Sequence, residues 1–512
     1  MSLLPPRHFR RDRRGNVAMM YALALPVLMF AIGLAIDFTH AAQVRTQLNA
    51  AADAAVLAAL TPSMMQQSNT TAQTAATNMF NGQIAGITSL AAGDTSVTVT
   101  VVNPGGNTLV RNVTVAYSAQ NTNIFASVLG APTFALSGSS SASASTAANI
   151  NFYLLLDNSP SMALPAYTGS DPTHPGITQM ENLTAQQDSG VGCAFACHQA
   201  LTGYGAGPAA TGDTIGNPCA KTSGSTTTYT TPTLNSSNSG PGNSYCAASQ
   251  GTQIDNYQVA RNNNITLRLD ELSSAVGTLM NAAYTAQTTS TQATPPKYQF
   301  AVFSMDSTYA IGLTELMGLT SSYVSGWSSA SPNFQVMEMY DNNNDCGSSG
   351  SNPCANSGGV GDVETNYADS LGKINSGQSY SMPNPGNGTN VAGDTPQEVL
   401  FLVTDGVEDD INASCSQPLD GNRCQAPINT SLCTTIKSRG IRIAILYTDY
   451  YPVTADWWYN DWIAPFQSSI ASNLESCASP GLFYDAGVDS SSLGSDLQTL
   501  FNLAVQTAHL TQ

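Results

Sequence analysis

Charge is scarce in this 512-residue chain: only 10% of residues are Asp, Glu, Lys or Arg, with five histidines and four tryptophans. Ser, Thr, Asn and Gly fill the surface instead, a balance that places the bulk of the chain outside the cytoplasm. Basic residues are scarcer still beyond the start. Arg7, Arg10, Arg11, Arg13 and Arg14 precede Gly15 with Asp12 as the lone acid, leaving 11 Lys and Arg against 33 Asp and Glu, a formal −22, for the rest. So acidic a surface repels phosphate backbones and excludes nucleic acid as a partner. Catalytic signatures are missing too. There is no His-Glu-x-x-His and no Gly-x-Ser-x-Gly, and His8, His40, His174, His198 and His509 are scattered. Cys193-x-x-x-Cys197-His198 has one residue too many for c-type haem attachment, and lacks the four clustered ligands of structural zinc. The motifs give no reason to expect an enzyme.

What is present begins with Val17 to Ile36, an uncharged apolar run of about 20 residues that matches a bilayer and exceeds the core of a cleavable signal peptide. It is read as a retained transmembrane helix, in which Pro26 and Gly33 are tolerable. The arginines of residues 1–16 put the N-terminus in the cytoplasm, so the bulk lies beyond a bacterial inner membrane, in the periplasm or at the surface. Ala41 to Leu60 is Ala-rich, with Val44, Leu48 and Val56 near helical spacing, and continues the helix. Residues 37–148 read as a small α+β stalk. Thr95 to Val102 and Val110 to Tyr117 alternate around Asn-Pro-Gly-Gly-Asn as a hairpin, Asn123 to Leu129 is a short helix, and Ser137 to Ala148 is an edge strand or a linker.

A chain this long exceeds one core. Residues 149–512 form the second body. Phe152 to Leu156 is a buried strand that stops at Asp157-x-Ser159-x-Ser161, and Val399 to Val403 is another that stops at Thr404-Asp405-Gly406. A carboxylate and two hydroxyls at alternate positions of a tight loop suit a hard cation: Mg²⁺ first, with Mn²⁺ or Ca²⁺ as the other choices. The plainer account is an Asx/Ser turn closing a strand. Ile265, Leu269, Leu272, Val276 and Leu279 mark an amphipathic helix, Tyr298 to Met305 a strand, and Ala310 to Leu316 a short antiparallel edge. Asn429 to Ser438 helix, Ile441 to Tyr447 strand, Ile463 to Cys477 helix, Gly481 to Asp485 strand and Ser491 to Ala508 helix complete a doubly wound, mostly parallel α/β sheet. Such sheets bind ligands at the carboxyl ends of their strands.

Residues 163–253 form a long polar insertion. The ten cysteines fall into even groups (193, 197, 219, 246; 346, 354; 415, 424, 433, 477), which points to disulfides within each group stapling polar loops. Trp457, Trp458 and Trp462 crowd the loop after Tyr447. They either anchor a partner or pack over their own sheet.

Two resemblances follow from these stretches. Asp157-x-Ser159-x-Ser161 with Thr404-Asp405-Gly406 resembles the metal-ion-dependent adhesion site of von Willebrand factor A (VWA) domains, across roughly the C-terminal two thirds of the chain. The resemblance implies a third, threonine ligand. Thr365 precedes a helix with Tyr367, Leu371 and Ile374 on one face, whereas Thr389 is followed by Pro396 with little room for a helix; Thr365 is favoured. It also implies a protein partner that offers an acidic side chain to the metal. Arg-Arg-Gly-Asn-Val-Ala (13–18), Ala-Leu-Pro (24–26), Ile36-Asp37 and the Ala-rich run from Leu48 resemble the anchor of TadE/TadG-like proteins of Flp (tight adherence) pilus assembly. TadE-type pseudopilins carry a glutamate just after the processing glycine, and Val17 to Tyr21 hold none, which favours the TadG-like kind. Together these imply a membrane-anchored binding protein among pilus-assembly components. The rival expectation is a structural envelope or surface component whose metal site is not functional.

Overall fold

The computed structural model describes residues 15–104, 109–171, 174–185, 193–196, 219–230, 233–234, 244–245, 248–290, 295–306, 311–336, 365–377, 380–411, 419–420, 423–454 and 459–509. They form two compact units, one of residues up to Thr146 with Asn390–Ala392 and His509, the other of Ala147–Thr389 and Gly393–Ala508.

In the first unit the sequence expected a span and a continuing helix; both belong to one uninterrupted helix, α1 (Gly15–Ala59), with Pro26 inside it. Among the described residues one helix, α1, is long and apolar enough to cross a membrane. Its buried stripe starts at Gly33 and runs through Asp37, Ala41, Val44 and Leu48, at helical spacing. That stripe packs with α2 (Asn69–Ile84) on an antiparallel sheet of β1 (Ser96–Val102), β2 (Val110–Thr122) and β3 (Thr133–Ser145). Of the Ser/Ala stretch 137–148, the part up to Ser145 is strand, within β3, which pairs with β2 along its length, and residues 146–148 lie outside it. Asn123 to Leu129 contains a 3-10 turn over Ala126–Leu129 rather than an α-helix.

The second unit holds a six-stranded sheet. Its strands are β4 (Ile150–Leu156), β5 (Tyr298–Asp306), β6 (Ile311–Thr320), β7 (Gln397–Thr404), β10 (Arg442–Tyr447) and β11 (Phe483–Asp485), in the order β6-β5-β4-β7-β10-β11. Between them, β8 (Val407–Ile411) and β9 (Arg423–Pro427) pair antiparallel outside this sheet. All contacts in the large sheet are parallel except β6 on β5. Every residue of β4, β7 and β10 is buried, as continuous apolar runs require. One face carries Phe152, which meets Tyr298, Phe300, Phe401 and Phe501; Phe501 comes from α8 (Leu493–Gln506), which packs beside α3 (Arg268–Thr288). Short α4 (Tyr323–Ala330) closes that side through Tyr323 on Phe300. The other face packs Tyr153, Leu155, Leu400 and Leu402 under α5 (Tyr367–Ser376), α6 (Thr430–Lys437) and α7 (Gln467–Cys477).

Cys433 on α6 and Cys477 on α7 form a disulfide, so one bond of the third group joins two sheet-covering helices, and Cys424 of that group and Cys219 of the first are disulfide-bonded as well. Replacing both by alanine is expected to cost about 2–4 kcal/mol, because the bridge closes a 44-residue separation in the unfolded chain. Urea denaturation of that variant measures it. Expectations for Cys197, Cys246, Cys346, Cys354 and Cys415, and for nearly half of the insertion 163–253, lie outside the described residues.

Candidate functional site

β4 is the first strand of the large sheet, and the chain leaves it to β5 on one side and later to β7 on the other. The crevice between β4 and β7 is therefore the topological switch point, where parallel sheets expose backbone dipoles and loops diverge. Asp157 follows the last residue of β4, and its amide extends the ladder by donating to Val403 O (2.9 Å). Asp405 follows the last residue of β7. The two carboxylates thus leave adjacent strand ends.

Local bonds fix the loop at Asp157. Its Oδ1 accepts from the Ser159 amide (2.9 Å), and the Ser159 and Ser161 hydroxyls touch at 2.9 Å. Asp157 and Ser159 are buried, and Ser161 is half-buried. The Thr404 hydroxyl donates to Asp157 Oδ2 (2.6 Å). A hydroxyl has one proton, so the 2.7 Å contact between Tyr367 and Thr404 makes Tyr367 the donor, and the Gly406 amide (3.0 Å) fills the remaining lone pair. Tyr367 therefore orients Thr404, which orients Asp157. Gly406 turns the chain at φ +85°, and a Cβ there would meet Ile470 Cγ2 at 2.4 Å, so both backbone and space demand glycine.

Thr365 is buried and forms a backbone bridge with Asp409, donating to its carbonyl (3.0 Å) and accepting from its amide (2.8 Å). Asp409 lies on β8, four residues after Asp405, and Tyr367 two residues after Thr365 reaches Thr404. The fold thus brings the segments of Asp157, Thr365 and Asp405 to one rim. Thr389 is elsewhere: its hydroxyl donates to Asp394, and its carbonyl accepts from Asn149 at the opposite ends of β4 and β7. A strand's length, roughly 20 Å, separates it from the rim.

The electrostatics are set by burial. Desolvation raises the Asp157 carboxyl, against hydrogen bonds from Ser159 and Thr404. Desolvation, with the neighbouring Asp157 charge, pushes Asp405 up to about 7, while Ser161 and the Arg268 guanidinium oppose it. Arg268 is itself buried and bonds the carbonyls of Asp449 and Val488 at 2.9 Å each. Asp405 Oδ2 has no hydrogen-bond partner among the described residues, although it is buried. Such an atom is costly without a donor or a cation. Two carboxylates flanked by serine hydroxyls are a hard-oxygen donor set, so the residues present fit a divalent cation.

Two features here carry no local signal in the sequence. Tyr367 reads there only as a helix-face residue, since nothing in sequence joins it to Thr404. Glu408, in the acidic run after Gly406, is buried and pushed up to about 7, first by desolvation and then by Asp410 and Asp409. Of the aromatic loop, Tyr450, Tyr459, Ile463 and Phe466 belong to the sheet's own core and Trp462 is half-buried; Trp457 and Trp458 lie outside the described residues.

Away from the site, Glu398 on β7 is pushed up to about 8, chiefly by burial, with Asn151 donating to Oε1 at 3.0 Å. Its folded pKa lies above its unfolded value, so the unfolded chain loses the proton first. The stabilisation is full below about pH 4.5 and is lost as pH rises towards about 8. Glu398→Gln is expected to remove that part of the pH dependence, a difference of a few kcal/mol between about pH 5 and 9 in denaturant titrations.

The N-terminal helix can be compared directly with known families. Residues 15–76 match the family model Tad, Flp pilus-assembly TadE/G-like. This match covers α1 and the first half of α2. Comparison with curated proteins gave no match. Among solved structures, the PilB minor pilin from Streptococcus sanguinis is similar at 8% identity and TM-score 0.31, covering 82% of this chain and 79% of that one. The pilus adhesin SpaC from Lactobacillus rhamnosus GG aligns at 10% identity and TM-score 0.28, over 81% of this chain and 34% of that one. Proximal thread matrix protein 1 from the mussel byssus aligns at 12% identity and TM-score 0.25, over 46% and 43%.

Proposed function

We propose that this chain is a membrane-anchored, extracytoplasmic VWA-type protein of Flp/Tad pilus assembly. Its second unit binds a partner through a divalent cation held by Asp157, Ser159, Ser161, Thr365 and Asp405. The pilus role rests on the TadE/G-like match of residues 15–76, which contain α1 from its start. The site rests on one observation above others: two buried carboxylates at the switch point, one with a buried oxygen that has no hydrogen-bond partner among the described residues.

Bound there, Mg²⁺ would supply positive charge that lets both carboxyls ionise and would leave a coordination position for an acidic side chain of the partner. Asp157 and Asp405 hold it, Ser159 and Ser161 add hydroxyl oxygens, and Tyr367 and Thr404 keep Asp157 aimed. Mn²⁺ and Ca²⁺ satisfy the same oxygen chemistry. In this reading α1 spans the inner membrane with residues 1–16 in the cytoplasm and the second unit, with the sheet of the first, outside. Disulfides within the cysteine groups hold the long insertions in that oxidising compartment.

Capture of Flp-pilus components by the solubilised full chain is expected in Mg²⁺ and not in chelator. Equal capture in chelator removes the adhesion site and leaves the rival, a structural component of the pilus or envelope, which no observation here favours.

A further inference from the structure

The loop between β2 and β3 carries Ile124, Phe125, Val128 and Leu129, and it lies against α1 at a telling height. Phe125 sits on Gly33: a Cβ at Gly33 would fall 2.6 Å from the Phe125 ring. Gly33 belongs to the apolar run that ends at Ile36, so the ring rests about 5 Å inside the end of that run along the helix axis. The surrounding side chains are open, Ile124 and Val128 at 73% and Leu129 at 56% exposure. They extend the exposed apolar surface of α1, where Ile32, Leu34, Ile36 and Phe38 are uncovered as well.

The loop's backbone is prepared for a dry environment. The amides of Ile124, Phe125 and Ala126 all donate to the Asp37 carboxylate, at 3.0, 2.9 and 2.7 Å. Ser127 Oγ donates to Ile124 O, and the amides of Gly130 and Ala131 donate to Ser127 O and Ala126 O. Polar backbone groups that enter the hydrocarbon region of a bilayer need partners of this kind, because water is not there to supply them.

We infer that Ile124–Leu129 is a second membrane contact, a loop that inserts its apolar side chains into the lipid around the outer end of α1. It fixes the first unit against the bilayer at two points, the helix and the loop. The inference rests on the reading of α1 as a span, and the test separates the two.

The full chain is reconstituted in nanodiscs of phosphatidylethanolamine and phosphatidylglycerol with p-benzoylphenylalanine in place of Met29, Val128 or Ser143. Met29 reports the span, Val128 the loop, and Ser143, exposed near the far end of β3, serves as control. After irradiation, lipid adducts read by mass spectrometry are expected at Met29 and Val128 within about twofold of each other, and roughly tenfold above Ser143. Adducts at Met29 with Val128 at the level of Ser143 overturn the loop contact and leave the span. A protein adduct at Val128 in place of lipid makes the patch a docking surface and overturns the inference. No lipid adduct at Met29 removes the span, and the loop contact with it.

Discussion

Asp157→Ala is expected to abolish the response of the protein's thermal unfolding to Mg²⁺. In the unaltered chain, free Mg²⁺ at about 100 times its dissociation constant should stabilise the folded state by about 2.7 kcal/mol, because the unfolded chain has no assembled site. For a unit of this size that raises Tm by roughly 3–4 °C. Asp405→Asn should lose the same response for a different reason. It retains shape but supplies an amide where the buried oxygen without a hydrogen-bond partner would meet the metal. Without Mg²⁺ the Asn variant should be no less stable than the parent near neutral pH, since the cost of ionising a second buried carboxylate disappears. Differential scanning calorimetry with and without Mg²⁺ measures both. A Tm rise in Asp157→Ala equal to the parent's would place the cation somewhere else.

Phe152→Ala should be among the most damaging single changes in the second unit, at about 3–5 kcal/mol. Phe152 is fully buried on the central strand and stacks on Phe300 at 4.8 Å, with Tyr298, Phe401 and Phe501 within 5.8 Å. Those partners come from two flanking strands and from α8, so the surrounding groups cannot collapse into the void without moving three elements. Chemical denaturation monitored by circular dichroism gives the value; a loss below about 1 kcal/mol would mean that the core is not organised on this ring. The same strand delivers Asp157 to the rim, so the variant should also weaken any Mg²⁺ response.

Much of the second unit could be read from residues, because a strand buried on both faces has one simple signature. Phe152 to Leu156, Val399 to Val403 and Ile441 to Tyr447 are short apolar runs, and each is a parallel strand in the middle of the sheet. The period-two pattern of Val110 to Tyr117 was equally plain, but its partner β3 was not. Thr133–Ser145 is mostly serine and alanine, so what holds it is main-chain pairing with β2 and contact with α1, neither of which leaves a hydrophobic pattern. At the site, the D-x-S-x-S and T-D-G segments announce acidic turns after strands. The choice between Thr365 and Thr389 turned on helix spacing, and the fold separates the two residues to opposite ends of the sheet. Tyr367 and Arg268 were invisible as site residues. Their roles come from contacts across the fold, Tyr367 to Thr404 and Arg268 to Asp449 and Val488, and no local pattern encodes such contacts.

One rim of one sheet is proposed to hold a cation, and its adhesive role depends on that ion. Crystals of the protein grown with Mn²⁺ and measured at the manganese absorption edge locate the ion independently of any partner. A single anomalous peak at about 2.1–2.3 Å from the hydroxyl oxygens of Ser159 and Ser161, beside Asp157 and Asp405, is the expected result. Clear density for these side chains with no peak among them, or a peak bound only by other residues, would contradict it.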